Sequence, residues 1–128
     1  MFVKIFKIAA IAIIPNRMGD RTQYLLMDDD KQIGKLTIQS NLSKKYYIMT
    51  YFKIDDPKKR GQGLGTKLME FALKDSQYFD RPLILEPAPF IGEETSGLYE
   101  MYKKFGFVPL EDKEFGIFKE SGWLVYKR

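Results

Sequence analysis

Between Lys58 and Leu73 the chain reads KKRGQGLGTKLMEFAL, a run of cations and glycines ahead of an apolar-striped segment. Glycines carry no Cβ, so a backbone built from them can come close to a ligand. A helix starting there presents N–H groups without internal partners and the positive end of its dipole. Together these suit a pyrophosphate-like anion, with Lys58, Lys59 and Arg60 adding charge. The same glycines also suit a plain tight turn, and their spacing alone leaves both readings open. Two nucleotide templates fail. A Walker A loop needs G-x-x-x-x-G-K-[ST], yet Gly65 is followed by Thr66 and then Lys67, with no glycine five residues earlier. A dinucleotide fingerprint needs G-x-G-x-x-G, whereas the glycines here are Gly61, Gly63 and Gly65.

The rest of the composition restricts the chemistry further. The 128 residues contain no cysteine and no histidine. Disulfides, thiolate metal sites, cysteine nucleophiles and histidine bases are therefore all excluded. Any acid or base is a carboxylate, a tyrosine, a lysine or a water chain, and no metal is expected. The formal charge of +4 is modest and suits anionic small ligands or simple solubility.

The elements that must position these groups follow from periodicity. Phe2 to Ile14 reads as a first strand and Pro15 to Asp20 as a loop. Thr22 to Met27 and Lys31 to Ser40 flank the turn Asp28-Asp29-Asp30 and predict a hairpin. Lys45 to Ile54 is a further strand, aromatic and β-branched. Leu64, Leu68, Phe71 and Ala72 recur on one helix face. Arg81 to Pro87 is a short apolar strand. Leu98, Met101, Tyr102 and Phe105 mark a second helix, with Ser96 as N-cap and Gly106 just past its end. The tail reads as two or three short strands, the last near Trp123 to Lys127. Strands, helix, strand, helix, strands predict an α/β (α+β) domain with a mixed sheet, residues 1–128 forming one unit.

The N-terminus has the two lysines, the apolar run Ile8 to Ile14 and the Ala10/Ala12 spacing of a signal peptide. Its β-branched residues and its stop at Pro15 without a polar cleavage region read instead as a buried strand. The run is too short to span a bilayer. A cytoplasmic protein without a membrane partner is the expectation.

Within that frame, Arg60-Gly61-Gln62-Gly63-Leu64-Gly65 resembles motif A of the GNAT N-acetyltransferase superfamily, [QR]-x-x-G-x-[GA]. Downstream, MYKKFGF (Met101 to Phe107) is similar to the family's motif B signature, LYEKLGF. The ordered pair covers about Tyr46 to Pro109. The resemblance implies a splayed mixed sheet flanked by helices, with acetyl-CoA as co-substrate between the strand ending at Ile54 and the strand Leu83 to Glu86. It implies that the amides of Gln62, Gly63, Leu64, Gly65 and Thr66 hold the pyrophosphate, with Arg60 and Gly61 in the same loop. The pantetheine arm would pair with the backbone of Phe52, Lys53 and Ile54, whose N–H groups could polarise the thioester carbonyl.

Tyr102 stands where the family carries its general acid, a phenol able to protonate the departing thiolate. It also lies on the apolar stripe with Leu98 and Phe105, where a core tyrosine would sit. Without cysteine, direct attack by a primary amine, either a small molecule or a protein amine, is the simple route, and it relies on positioning. Glu86, at the end of the strand lining the implied cleft, is the first candidate base. Glu93, Glu94 and Glu100 follow, and Asp55 and Asp56 lie toward the phosphates.

Some positions depart from the family pattern. One extra residue separates Ile54 from Arg60, and Thr95 replaces a frequent asparagine. Only Pro15 to Arg21 stand where relatives place acceptor-side helices, so those helices are expected to be short or missing. The acceptor groove is then open, or completed by a partner subunit of a homodimer. Two other classes compete: a catalytically silent GNAT-like domain binding CoA or a protein, and a basic nucleic-acid-binding protein. Scattered cations and intervening acidic runs argue against nucleic acid.

Overall fold

From Arg21 to Leu26 buried residues alternate with less buried ones, the pattern of a half-buried strand. The computed structural model describes residues 6–8, 10–40, 46–55, 63–75, 80–85, 95–109 and 123–126. Its strands are β1 (Phe6–Ile8), β2 (Ile11–Met18), β3 (Arg21–Asp28), β4 (Lys31–Ser40), β5 (Tyr47–Ile54), β6 (Leu83–Leu85), β7 (Val108–Pro109) and β8 (Leu124–Tyr126). Helix α1 (Leu64–Leu73) joins β5 to β6, and α2 (Thr95–Lys104) lies between β6 and β7. One sheet holds all eight strands in the order β1-β2-β3-β4-β5-β6-β8-β7. Among the described residues only the β5–β6 pair is parallel. The mixed α/β architecture expected from the sequence is present. Among the described residues no helix is long and apolar enough to cross a membrane.

The N-terminal expectations need correction. The single strand Phe2 to Ile14 is replaced by the antiparallel pair β1 and β2, with Ile8 opposite Ile11. Pro15 to Met18 form strand rather than loop, and Pro15 pairs with Tyr24. Proline fits because β1 reaches only as far as Ile13, so no described strand needs an N–H from Pro15 on that side. The turn itself shrinks to Gly19-Asp20, with Gly19 at φ 61°, a conformation glycine adopts without penalty. Residues 10–40 contain no helix, in agreement with the expected loss of the acceptor-side helices. The second hairpin turns at Asp29-Asp30, with Asp29 at φ 52°. Helix α2 begins at Thr95, so Ser96 lies inside it rather than capping it.

Both helices pack on one face of the sheet. Helix α1 buries Leu68, Met69, Ala72 and Leu73 against Tyr24, Leu26, Leu36, Ile38 and Met49. A ten-residue helix is marginal alone in water, so this burial, about 1.5–3 kcal/mol for each large side chain, holds it in place. The buried face differs slightly from the expected one, because Leu64 and Phe71 are only half-buried. At the far end of α1, the buried carboxylate of Asp75 accepts a short hydrogen bond from the Tyr24 hydroxyl and pairs with Arg17 at 3.0 Å. Arg17 also donates to Thr22 Oγ1 at 3.2 Å. Burial works against the charge on Arg17, but the hydrogen bond and charge of Asp75 outweigh it and raise the guanidinium pKa. This network clamps the C-terminal end of α1 to β2 and β3 beside a cavity of about 190 Å³.

Gly34 controls how closely β4 and β5 approach. A Cβ there would stand 3.0 Å from the Lys53 carbonyl oxygen, 3.0 Å from Ile54 Cδ1 and 3.2 Å from Leu26 Cδ2. The carbonyl belongs to the backbone and cannot step aside as a side chain can. Gly34→Ala is expected to destabilise the fold by about 1–3 kcal/mol, read as a lower urea midpoint at unchanged m-value.

Candidate functional site

The site is built at the end of β5. Among the described residues this strand pairs with β6 at Tyr47, Ile48 and Met49, opposite Leu83, Ile84 and Leu85. On the other side of β5 the register slips: Ile38 faces Met49, yet Thr37 faces Tyr51, so Thr50 is an extra residue. Such a bulge bends its strand and increases local twist.

Helix α1 starts against this stretch. A Cβ on Gly65 would lie 3.5 Å from Phe52 Cζ and 3.9 Å from Ile54 Cγ1, so the first turn sits over the end of β5. Gly63 is the N-cap residue, at φ 77°, with no side-chain cap and no acid in the first turn. The first internal bond runs from the Lys67 N–H to the Gly63 carbonyl at 3.1 Å. The N–H groups of Leu64, Gly65 and Thr66 thus have no acceptor within the helix.

Tyr102 reaches the same place from α2. Its ring centroid is 6.4 Å from that of Phe52 and 5.8 Å, edge-on, from that of Phe107. Phe107 in turn lies 5.4 Å from Tyr126. The end of α2 holds this aromatic column. Gly106 adopts φ 102°. Its N–H bonds the Lys103 carbonyl at 3.0 Å, and the Phe107 N–H bonds the Tyr102 carbonyl at 3.2 Å. That pair of bonds is a left-handed C-cap in which the residue after glycine contacts the residue three back from the helix end. The F-G-F segment is thus the device that fixes Tyr102. Between the helices runs an open groove of about 400 Å³, lined by Thr66 and Glu70 of α1 and by Glu100, Met101, Lys104 and Phe105.

The expected residues divide clearly. Phe52, Ile54, Gly63, Leu64, Gly65, Thr66 and Tyr102 are brought together on the helix face. Lys53 belongs to the same strand, but its side chain alternates to the other face. Arg60, Gly61, Gln62 and Glu86 lie outside the described residues, as do Asp56, Lys58, Lys59, Glu93 and Glu94. Glu100 is exposed and pairs with Lys103 at 3.8 Å. Asp55 is exposed and accepts a hydrogen bond from the Tyr51 hydroxyl at 3.2 Å. Sequence reasoning missed the Thr50 bulge, the partnership of Phe52 with Tyr102, and the groove residue Glu70. The register slip has no sequence signal, whereas F-G-F after a helical stripe was a readable C-cap. Among the described residues no cluster of three or more acidic side chains converges as metal ligands would.

The three glycines should respond differently to alanine. Gly106→Ala strains a left-handed backbone and brings a methyl to 3.1 Å from the Tyr126 ring; a loss of about 1–2 kcal/mol is expected. Gly63→Ala meets open space but the same strain. Gly65→Ala meets only ordinary contacts inside a helix and should be neutral or stabilising by up to about 1 kcal/mol. Thermal melts of the three variants check this ranking.

No protein-family model and no curated protein matches the sequence. Solved structures do match. A GNAT family acetyltransferase from Elizabethkingia anophelis with acetyl-CoA bound is 17% identical, with a TM-score of 0.66 over 94% of this chain and 99% of its own. The ribosomal-protein-S18-alanine N-acetyltransferase of Escherichia coli is 17% identical, with a TM-score of 0.60 over 87% of this chain and 71% of its own. An acetyltransferase from Thermus thermophilus is 18% identical, with a TM-score of 0.60 over 85% of this chain, which spans 65% of that protein's length. The strand order and this likeness agree: the chain has the fold of the GNAT acetyltransferases.

Proposed function

We propose that the chain, residues 1–128, is an N-acetyltransferase domain that moves an acetyl group from acetyl-CoA to a primary amine by direct attack. One observation carries this reading: the start of α1, which has no side-chain cap, and the ring of Tyr102 converge on Phe52 at the end of β5. When bound, acetyl-CoA supplies an activated acyl carbon and a thiol leaving group. The amides of Gln62 to Thr66 hold the pyrophosphate, where the helix dipole and the glycine backbone favour an anion. The backbone of Phe52 to Ile54 pairs with the pantetheine arm, and its N–H groups stabilise charge on the carbonyl oxygen.

Tyr102 gives its phenolic proton to the sulfur as the C–S bond breaks, while the new C–N bond forms. The proton lost by the amine passes to Glu86 or to ordered water. No acyl-cysteine step exists, because the chain has no cysteine. The co-substrate is the only cofactor in this scheme, and no step uses a metal.

A second reading has its own support. Tyr102 is only 7% exposed, and its ring sits in the aromatic column as a core residue would. A silent CoA-binding domain would look the same. Calorimetry with acetyl-CoA, followed by mass detection of acetylated amines, separates the two. Micromolar binding with turnover is expected, and Tyr102→Phe should lower kcat by about 100-fold or more with little change in binding. Binding without turnover of any amine would favour the silent domain. Gly63→Asp or Gly65→Asp should abolish acetyl-CoA binding through bulk and phosphate repulsion; retained affinity would mean that the loop serves only as a turn.

A further inference from the structure

We propose that the recess between β2 and the C-terminal end of α1 is a second ligand site, one that takes a small aromatic monocarboxylate. The recess has a volume of about 190 Å³, and among the described residues Pro15, Arg17, Phe71, Lys74 and Asp75 line it. An apolar cavity of about 150 Å³ is enough to hold benzene, so one ring with a short substituent is the right size. Pockets for drug-sized ligands run to about 300–1,000 Å³, and a nucleotide does not fit here. Helix α1 is ten residues long, about 15 Å at 1.5 Å per residue. The recess therefore lies about one helix length from Gly63, separate from the acetyl-CoA site proposed above.

The apolar part of the wall calls for a ring. Phe71 falls on the apolar stripe of α1, yet it is only half-buried, because part of it borders the recess. Its ring meets that of Tyr24 edge-on, with 6.0 Å between centroids, and is held there. Pro15 adds a rigid apolar surface to the same space. The stems of Arg17 and Lys74 are apolar up to their charged heads. A bound ring completes the burial of Phe71, in the offset or edge-on contact that aromatic pairs prefer.

The charges select a single negative group. The Arg17 guanidinium is held by Thr22 Oγ1 at 3.2 Å and by Asp75 at 3.0 Å. These take two of the five N–H donors that an arginine offers, and the side chain is still 45% exposed. A planar fork already fixed in direction loses little freedom when it binds a carboxylate. Lys74 is exposed, and among the described residues it has no ion pair. Two cations thus meet one buried carboxylate, Asp75, which Arg17 and the Tyr24 hydroxyl already engage. The surplus suits a monoanion. Asp75 repels a phosphate dianion more strongly, and Arg17 and Lys74 repel an amine. The negative end of the α1 dipole is partly met by its own backbone, since the Lys74 and Asp75 N–H groups bond the Glu70 and Ala72 carbonyls. A carboxylate shared by Arg17 and Lys74 ties β2 to α1.

Benzoate is the probe, titrated without acetyl-CoA into the isotopically labelled full chain and followed through backbone amide shifts by NMR. It should bind with a Kd of about 1 mM or below, within reach of so small a ligand. The amides of Arg17, Phe71, Lys74 and Asp75 should move more than those of Gly63 to Thr66. The melting temperature should rise with benzoate concentration. Benzylamine, benzyl alcohol, acetate and inorganic phosphate should each bind at least about tenfold more weakly. Lys74→Glu, at an exposed position, should weaken benzoate binding about tenfold. Arg17→Lys is the second variant, in case the first does not fold; it keeps the charge but loses the fork, and should weaken binding about threefold. Equal binding of benzylamine, benzyl alcohol or phosphate would overturn the proposal. So would shifts confined to the start of α1, an affinity that both variants leave unmoved, or no binding at about 10 mM. None of these outcomes touches the acetyltransferase reading, since acetyl-CoA takes no part in the experiment.

Discussion

The bulge at Thr50, set between the Ile38–Met49 and Thr37–Tyr51 pairs, shapes the strand on which the candidate site is built. It bends β5 and increases its twist. Gly34 lets β4 approach β5 closely beyond it. Both are local departures from regular sheet, and past them Phe52 and Ile54 lie against the first turn of α1.

The helices are arranged around the end of β5. Helix α1 is held at its far end by buried Leu68, Met69, Ala72 and Leu73 and by the Asp75–Tyr24–Arg17 network. Its near end is left without side-chain caps. A helix with one end anchored and the other chemically unfinished presents its dipole to a ligand at little cost to stability. Helix α2 shows the complementary arrangement. Its working residue, Tyr102, sits near the terminus and is oriented by the glycine cap that ends the helix.

Much of this was legible in the sequence because it rests on local patterns. The glycine loop, both helices, the hairpin around Asp29-Asp30 and the order of elements all have short-range signals. The absence of helices between the first strand and the hairpin was readable from the shortness of the segment Pro15 to Arg21. What escaped depended on distant partners. Pro15 and Asn16 are turn formers by composition, yet the ladder with Tyr24 and Gln23 draws them into strand. The bulge at Thr50 exists only as a mismatch between two strands.

The N-terminal meander also bears on how the molecule assembles. Strands β2 to β5 pair with their neighbours in sequence, through turns as short as Gly19-Asp20. Such local pairings cost little loop entropy and form early. The β5–β6 ladder must wait for a crossover through α1, and the antiparallel joining of β8 to β6 spans a still longer stretch. The β5–β6 ladder thus joins the earliest-formed part of the sheet to the latest. Its two strands belong to different stages of folding, and a ligand that touches both acts as a fastener between the halves.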